Sequence, residues 1–262
     1  MHERHKKSEM ITPEHLFSTS AEGPLMVFGG PYSNLEATQA LLEEAARLGI
    51  DAEHMICTDD IVAYGADAAA TVDLIRSRGC RVVMGNCEES LASGADNCGS
   101  GVPAGGTCER LSAAWFAHAL AQLGSDARTW MASLPRRIAL EFVGLRLAVI
   151  HGGIEKINRF IFASTATIIK ERERSRADVD GIVAGHCGFS QGIGPGIWHN
   201  AGVIGMPAND GMPRVWYSLL TPAKDGLSIE HRALEYDFAR AAAKMRRARL
   251  PEEYYPSPTS SL

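Results

Sequence analysis

Asp59-Asp60-Ile61-Val62-Ala63-Tyr64-Gly65, Val83-Met84-Gly85-Asn86-Cys87-Glu88 and Gly185-His186-Cys187-Gly188 decide how this chain is read. Each stretch ends or directly follows a short apolar run, at 55–57, 81–84 and 181–184. A fourth run, 145–150, delivers His151-Gly152-Gly153 in the same way. Short apolar runs that stop at glycine or at a polar loop read as buried strands. In sheets built from alternating strands and helices, ligands bind beyond the carboxyl ends of the strands. Asp60, Asn86, His151 and His186 are therefore expected to meet in space, although they lie far apart in sequence.

The strand-loop-helix rhythm runs through most of the chain. Residues 25–28 form an apolar run ending in Gly29-Gly30, and 34–48 carry Leu35, Leu41, Leu42, Ala45 and Ala46 at helical spacing. A helix is expected around 68–77, a Gly/Ser/Ala/Asn-rich excursion over 89–107, a helix over 108–123 and a short one before Leu134. Strands follow at 137–142, 145–150 and 181–184, with a polar helix over 164–176 between the last two. The remainder reads as a β-rich meander, clearest at 215–220 and 227–234, and a terminal helix at 237–249. This order predicts an α/β chain with a largely parallel or mixed sheet covered by helices. Residues 1–22 lack hydrophobic periodicity and read as a loose tail. A single domain is expected over 23–235, and a C-terminal helix and tail over 236–262.

The 262 residues are 45% hydrophobic and 22% charged, enough for one large globular domain. No apolar run reaches the roughly 20 residues that span a bilayer. The charged start, Met1 to Lys7, is followed by no apolar segment of the kind that marks export, so a cytoplasmic location is expected. In that setting the six cysteines read as thiols or ligands, not as a disulfide framework. Cys98 and Cys108 match no zinc-motif spacing, and Cys57, on a strand, reads as a small buried hydrophobe. A net charge of −5 argues against a dedicated nucleic-acid surface. Lys244, Arg246, Arg247 and Arg249 read as a solvated face of the terminal helix, and Trp115, Phe116 and that helix as candidates for a homo-oligomer interface.

The three opening stretches resemble the GDIVGYG, GNHD/E and GHTH blocks of the calcineurin-like metallophosphoesterases, which hydrolyse phosphate esters with two metal ions. The segments 200–207 and 210–220 are similar to the NPGSVGQP…DGxPRASYALL ending of that superfamily's small bacterial and archaeal branch. The likeness covers roughly residues 24–235. It implies a four-layer αββα sandwich with mixed β-sheets and a metal site at the strand ends. It also implies metal ligands at Asp60, Asn86, His151 and His186.

The same comparison exposes losses. The superfamily opens with an Asp-x-His pair, usually within SDIHGNLEAL, and Asn34-Leu35-Glu36-Ala37 keeps the tail of that phrase. Gly30 stands where the Asp belongs and Tyr32 where the His belongs. Gly188 replaces the second histidine of GHTH. All three losses fall on one metal position and all four survivors on the other, which implies a single or rebuilt centre. A site of one Asp, one Asn and two His suits Zn²⁺, Fe²⁺ or Mn²⁺, with a second ion still admissible.

Several residues carry open alternatives. Asp59 either adds a second carboxylate or faces solvent. Cys87 replaces the histidine that normally protonates the leaving group, and is a metal ligand, an acid or inert. Cys187 and His199 are additional ligand candidates. His151 alone could equally be a structural histidine. Arg159 or Lys156 would supply positive charge to a phosphate, or simply sit at the surface, and Tyr32 is a substrate-binding candidate. The expected function is hydrolysis of a small phosphorylated molecule or phosphodiester, as a phosphatase or phosphodiesterase. The alternative is a non-catalytic nucleotide- or phosphometabolite-binding protein on the same fold.

Overall fold

The computed structural model describes residues 15–18, 23–58, 60–101, 106–190, 197–208, 210–224 and 226–254. In chain order the strands are β1 (His15–Ser18), β2 (Leu25–Phe28), β3 (Met55–Cys57), β4 (Arg81–Val82), β5 (Arg137–Phe142) and β6 (Leu145–Ile150). They continue with β7 (Gly181–Ala184), β8 (Phe189–Ser190), β9 (Ile197–Ala201), β10 (Val215–Ala223) and β11 (Gly226–Leu234). The helices are α1 (Leu35–Arg47), α2 (Ala68–Arg78), α3 (Asn86–Ser93), α4 (Thr107–Gln122), α5 (Ser125–Ala132), α6 (Thr167–Ala177) and α7 (Phe238–Arg247).

Two mixed sheets result, ordered β1-β5-β6-β7-β9-β8 and β11-β10-β2-β3-β4. Side chains alternate across each strand and so divide the interior into layers. Leu25 and Val27 on β2 pack between the sheets, against Leu147 and Val149 of β6 and Leu140 of β5. Met26 and Phe28, one residue out of phase, face the helical layer of α1, α2, α4 and α5. On the other sheet, Ala148 and Ile150 turn outward, to Ile161 and to Ala177 of α6. The chain is thus the expected helix-sheet-sheet-helix sandwich.

Local chemistry sets the element ends that matter. The Asn34 side chain accepts from Ala37 N at 3.1 Å, capping α1, and donates to Gly205 O at 3.0 Å, tying that helix start to a loop 171 residues away. Glu88, in the first turn of α3, reaches back to Gly85 N at 3.2 Å. Asp237 caps α7 by accepting from Arg240 N at 3.0 Å.

Four expectations change. His15–Ser18, placed in the loose tail, runs parallel to β5 as an edge strand held by backbone pairing, which requires no side-chain period. The excursion begins later than expected, because α3 carries the chain to Ser93 before it turns at Gly94. Trp115 and Phe116 are buried within the chain and are not interface residues. Lys244 is not on a solvated face: its Nζ lies 2.6 Å from Glu36 and 2.7 Å from Asp67, pinning α7 to α1 and the start of α2. Among the described residues no helix is long and apolar enough to cross a membrane.

Candidate metal centre

Strands β2, β3 and β4 are mutually parallel, as are β6, β7 and β9, so their carboxyl ends open on one edge of the sandwich. Just beyond β3 lies Asp60, beyond β4 Asn86, beyond β6 His151 and beyond β7 His186. One ligand atom from each of Asp60, His151 and His186 falls within 4.8 Å of the others. Asn86 Oδ1 is 2.9 Å from His151 Nε2, and Asp60 Oδ1 is 3.9 Å from the same nitrogen. Asp60, Asn86 and His151 are buried, and His186 is half-buried.

Neighbouring groups fix each of these side chains. Asp60 Oδ1 accepts from Cys87 N at 2.9 Å. A Cβ at position 85 would lie 2.0 Å from that carboxylate oxygen, so only glycine permits the approach. Asn86 Nδ2 donates to Cys98 O at 2.7 Å, which leaves its amide oxygen aimed at His151. His151 Nδ1 lies 3.4 Å from Thr58 O, the backbone contact that commonly orients a ligating imidazole. His186 holds a left-handed backbone (φ 63), a strained state for a residue with a Cβ. Its ring packs 4.7 Å from that of His151 and 4.3 Å from the exposed Phe160.

This donor set fits a divalent ion. A tetrahedral ion with ligands at about 2.0–2.2 Å places neighbouring donors roughly 3.3–3.6 Å apart. The separations seen here, 2.9 Å to 4.8 Å, bracket that range. A carboxylate, an amide oxygen and two imidazoles are borderline ligands suited to Zn²⁺, Fe²⁺ or Mn²⁺.

Glu88 is a residue whose role sequence reasoning missed. It is fully buried, and its Oε1 accepts from Ile61 N and Val62 N at 3.0 and 3.1 Å while Oε2 takes Gly85 N. One carboxylate thus clamps the Asp60 loop to the Asn86 loop. Burial, then the nearby Asp60 carboxylate, push its carboxyl well above the usual range. Its place one residue after the position held by Cys87, within the GNHD/E block, was the signal that could have found it.

The remaining candidates fall in different places. Burial, reinforced by a hydrogen bond with Cys98 and by the charges of Asp60 and Glu88, pushes the Cys87 thiol well up. Its Sγ lies 3.5 Å from Asn86 Nδ2. Cys98, hydrogen-bonded to Cys87, is held down to about 6. Cys187 Sγ accepts from Ile161 N at 3.1 Å. His199 points between the sheets, its Nε2 2.8 Å from Ser218 Oγ, and does not join the group around Asp60. Arg159 Nη1 is 2.5 Å from the fully buried Glu173, which also accepts from Ile154 N, so its charge anchors the 154–159 loop to α6. Lys156 is exposed, and Asp59 lies outside the described residues.

At the position where ligands are missing, Gly30 and Tyr32 form one unit. Gly30 has φ 45, and a Cβ built on it would sit 2.5 Å from the Tyr32 ring. The phenol therefore occupies the space that a side chain at residue 30 would fill. Gly188 also has a left-handed backbone, with open space where a side chain would project.

No protein-family model matches the chain. A 62-residue segment is 40% identical to the uncharacterized protein MJ0912 of Methanocaldococcus jannaschii, covering 24% of this chain and 25% of that one. Across the whole fold the chain is similar to the hypothetical protein PH1004 from Pyrococcus horikoshii OT3, with a TM-score of 0.74 and 16% identity over 91% of this chain and 99% of that one. It is also similar to a metallophosphoesterase from Sphaerobacter thermophilus, with a TM-score of 0.67 and 22% identity over the same shares. The chain therefore has the calcineurin-like metallophosphoesterase fold.

Proposed function

We propose that this protein is a metal-dependent phosphoesterase working at one divalent-ion site held by Asp60, Asn86, His151 and His186. The observation that carries this reading is the convergence of Asp60, His151 and His186 within 4.8 Å at the common strand-end edge. Bound there, an ion would acidify a water molecule and offset charge on a phosphoryl oxygen. The chain's own residues do the positioning. Cys98 O orients Asn86, Thr58 O steadies His151, and Glu88 joins the two loops that bear Asp60 and Asn86. The substrate class is a small phosphate ester or phosphodiester, supported by the fold shared with the Sphaerobacter metallophosphoesterase. A non-catalytic phosphometabolite-binding protein is the second reading, favoured by the Tyr32 ring standing where a ligand of the first metal would project.

Metal content of anaerobically purified protein, read beside hydrolysis of bis(4-nitrophenyl) phosphate, tests this. About one equivalent of Zn, Fe or Mn is expected, with both metal and activity lost in His151→Ala. Two equivalents would overturn the single-ion form. Metal without hydrolysis of any phosphate ester would leave the binding protein standing.

A further inference from the structure

Beside the candidate metal centre lies a cavity of about 200 Å³. It occupies the side of the site where ligands are missing: Tyr32 forms one wall and Gly188, two residues beyond His186, forms part of the mouth. Tyr64 and Trp216 supply further aromatic walls, with Val203, Met206 and Pro207 between them. Its lining contains no carboxylate, imidazole, thiol or cation among the described residues, so it is not a second ion site.

The walls are built to hold their shape. Tyr32 and Tyr64 meet edge to face at 4.9 Å, and both keep left-handed backbones, at φ 49 and φ 30. Bulky residues rarely adopt that conformation, and it persists only where the surroundings enforce it. Here Gly65 N donates to Tyr32 O at 2.9 Å, and Gly205 N to Gly30 O at 2.7 Å. On the far side Arg214 packs over the Trp216 ring at 5.2 Å. Such a pocket suits a rigid apolar guest, and Met206 gives it one adaptable wall.

Volume narrows the guest further. An apolar cavity of ~150 Å³ is large enough to take benzene, so this one has room for a substituted or fused ring. We propose that the loss of the first metal position has made a binding subsite for a flat aromatic group of nucleobase size, carried by the alcohol whose phosphate ester is held at the neighbouring ion. The placement of that phosphate rests on the phosphoesterase reading above. The pocket's preference for an aromatic ring does not.

Saturation-transfer NMR with adenosine, which has no phosphate, separates the two. Transfer from the wild-type protein to the adenine protons is expected, retained in His151→Ala and lost in Ala208→Phe, whose new ring fills the pocket. Met206→Trp is a second filling variant should Ala208→Phe fail to melt cooperatively. Adenosine transfer with no hydrolysis of any ester would sink the phosphoesterase reading and leave the subsite intact. No transfer in the wild type overturns the proposal. So does transfer that survives both filling variants. If such transfer is lost in Phe160→Ala, the ring belongs instead to the exposed, stacked Phe160–Phe162 pair.

Discussion

A Cβ on residue 30 would lie 2.5 Å from the ring of Tyr32, so the two departures from the metallophosphoesterase pattern at Gly30 and Tyr32 are one structural event. The tyrosine ring needs the glycine, and the glycine's left-handed backbone needs no side chain. Gly30→Asp alone should therefore destabilise the protein by about 2–4 kcal/mol, from overpacking plus backbone strain. Combining it with Tyr32→His replaces the six-membered ring and its hydroxyl with a shorter one and relieves the closest contact, so the pair should cost clearly less than the sum of the singles in a urea-denaturation cycle. Adding Gly188→His to that pair should raise metal content above one equivalent. Additive single and double costs would contradict the coupling.

Cys87 stands at the histidine position of the GNHD/E block that this segment resembles, yet its Sγ faces Asn86 Nδ2 at 3.5 Å and the buried Cys98. Its backbone N–H, not its thiol, holds Asp60. Cys87→Ser should therefore keep bound metal and leave kcat/KM within about threefold, a change of ~0.7 kcal/mol. A loss of a hundredfold or more with metal retained would make the thiol a catalytic group.

Much of this architecture was legible from apolar runs alone. Residues 137–142, 145–150 and 181–184 are strands over the expected spans: 181–184 is buried and apolar throughout, 145–150 is so over its last four residues, and 137–142 alternates buried Ile138, Leu140 and Phe142 with more exposed positions. The meeting of Asp60, Asn86, His151 and His186 followed from strand-end geometry. His15–Ser18 was not legible, since four residues on a sheet edge carry no pattern. Nor was the fate of His199: a histidine near the ending motif looks the same in sequence whether it faces an ion or a serine on the opposite sheet. The clamp by Glu88 was hidden because its partners are backbone N–H groups, which every residue but proline carries.

That clamp makes a separate claim. Glu88→Ala would strand three buried N–H groups, those of Ile61, Val62 and Gly85, and should cost about 3 kcal/mol or more. Because it joins the loops bearing Asp60 and Asn86, the same change should also weaken metal binding by ~10–100-fold, as loss of an outer-shell partner does. Isothermal titration with Zn²⁺ beside urea denaturation reads both effects. Lost stability with unchanged affinity would reduce Glu88 to a structural cap.

The second buried polar cluster predicts a pH dependence independent of the metal centre. His199 is 1% exposed, and burial followed by its neighbour His231 holds it down to about 3, against 6.5 for a free imidazole. His231, 3.1 Å from the same Ser218 hydroxyl, is also lowered by burial. Between pH 6.5 and 3 the unfolded chain binds a proton at His199 that the folded chain refuses. The contribution of neutral His199 is therefore fully present above 6.5 and is lost as pH falls through that window, at about 1.4 kcal/mol per pH unit at most. His199→Gln keeps a group able to meet Ser218 and cannot take up the proton. Its denaturation midpoint should lie below wild type at pH 7 and fall less steeply towards pH 4, so that the two curves converge. Parallel curves across that range would show that His199 protonates in the folded protein as readily as in the unfolded one.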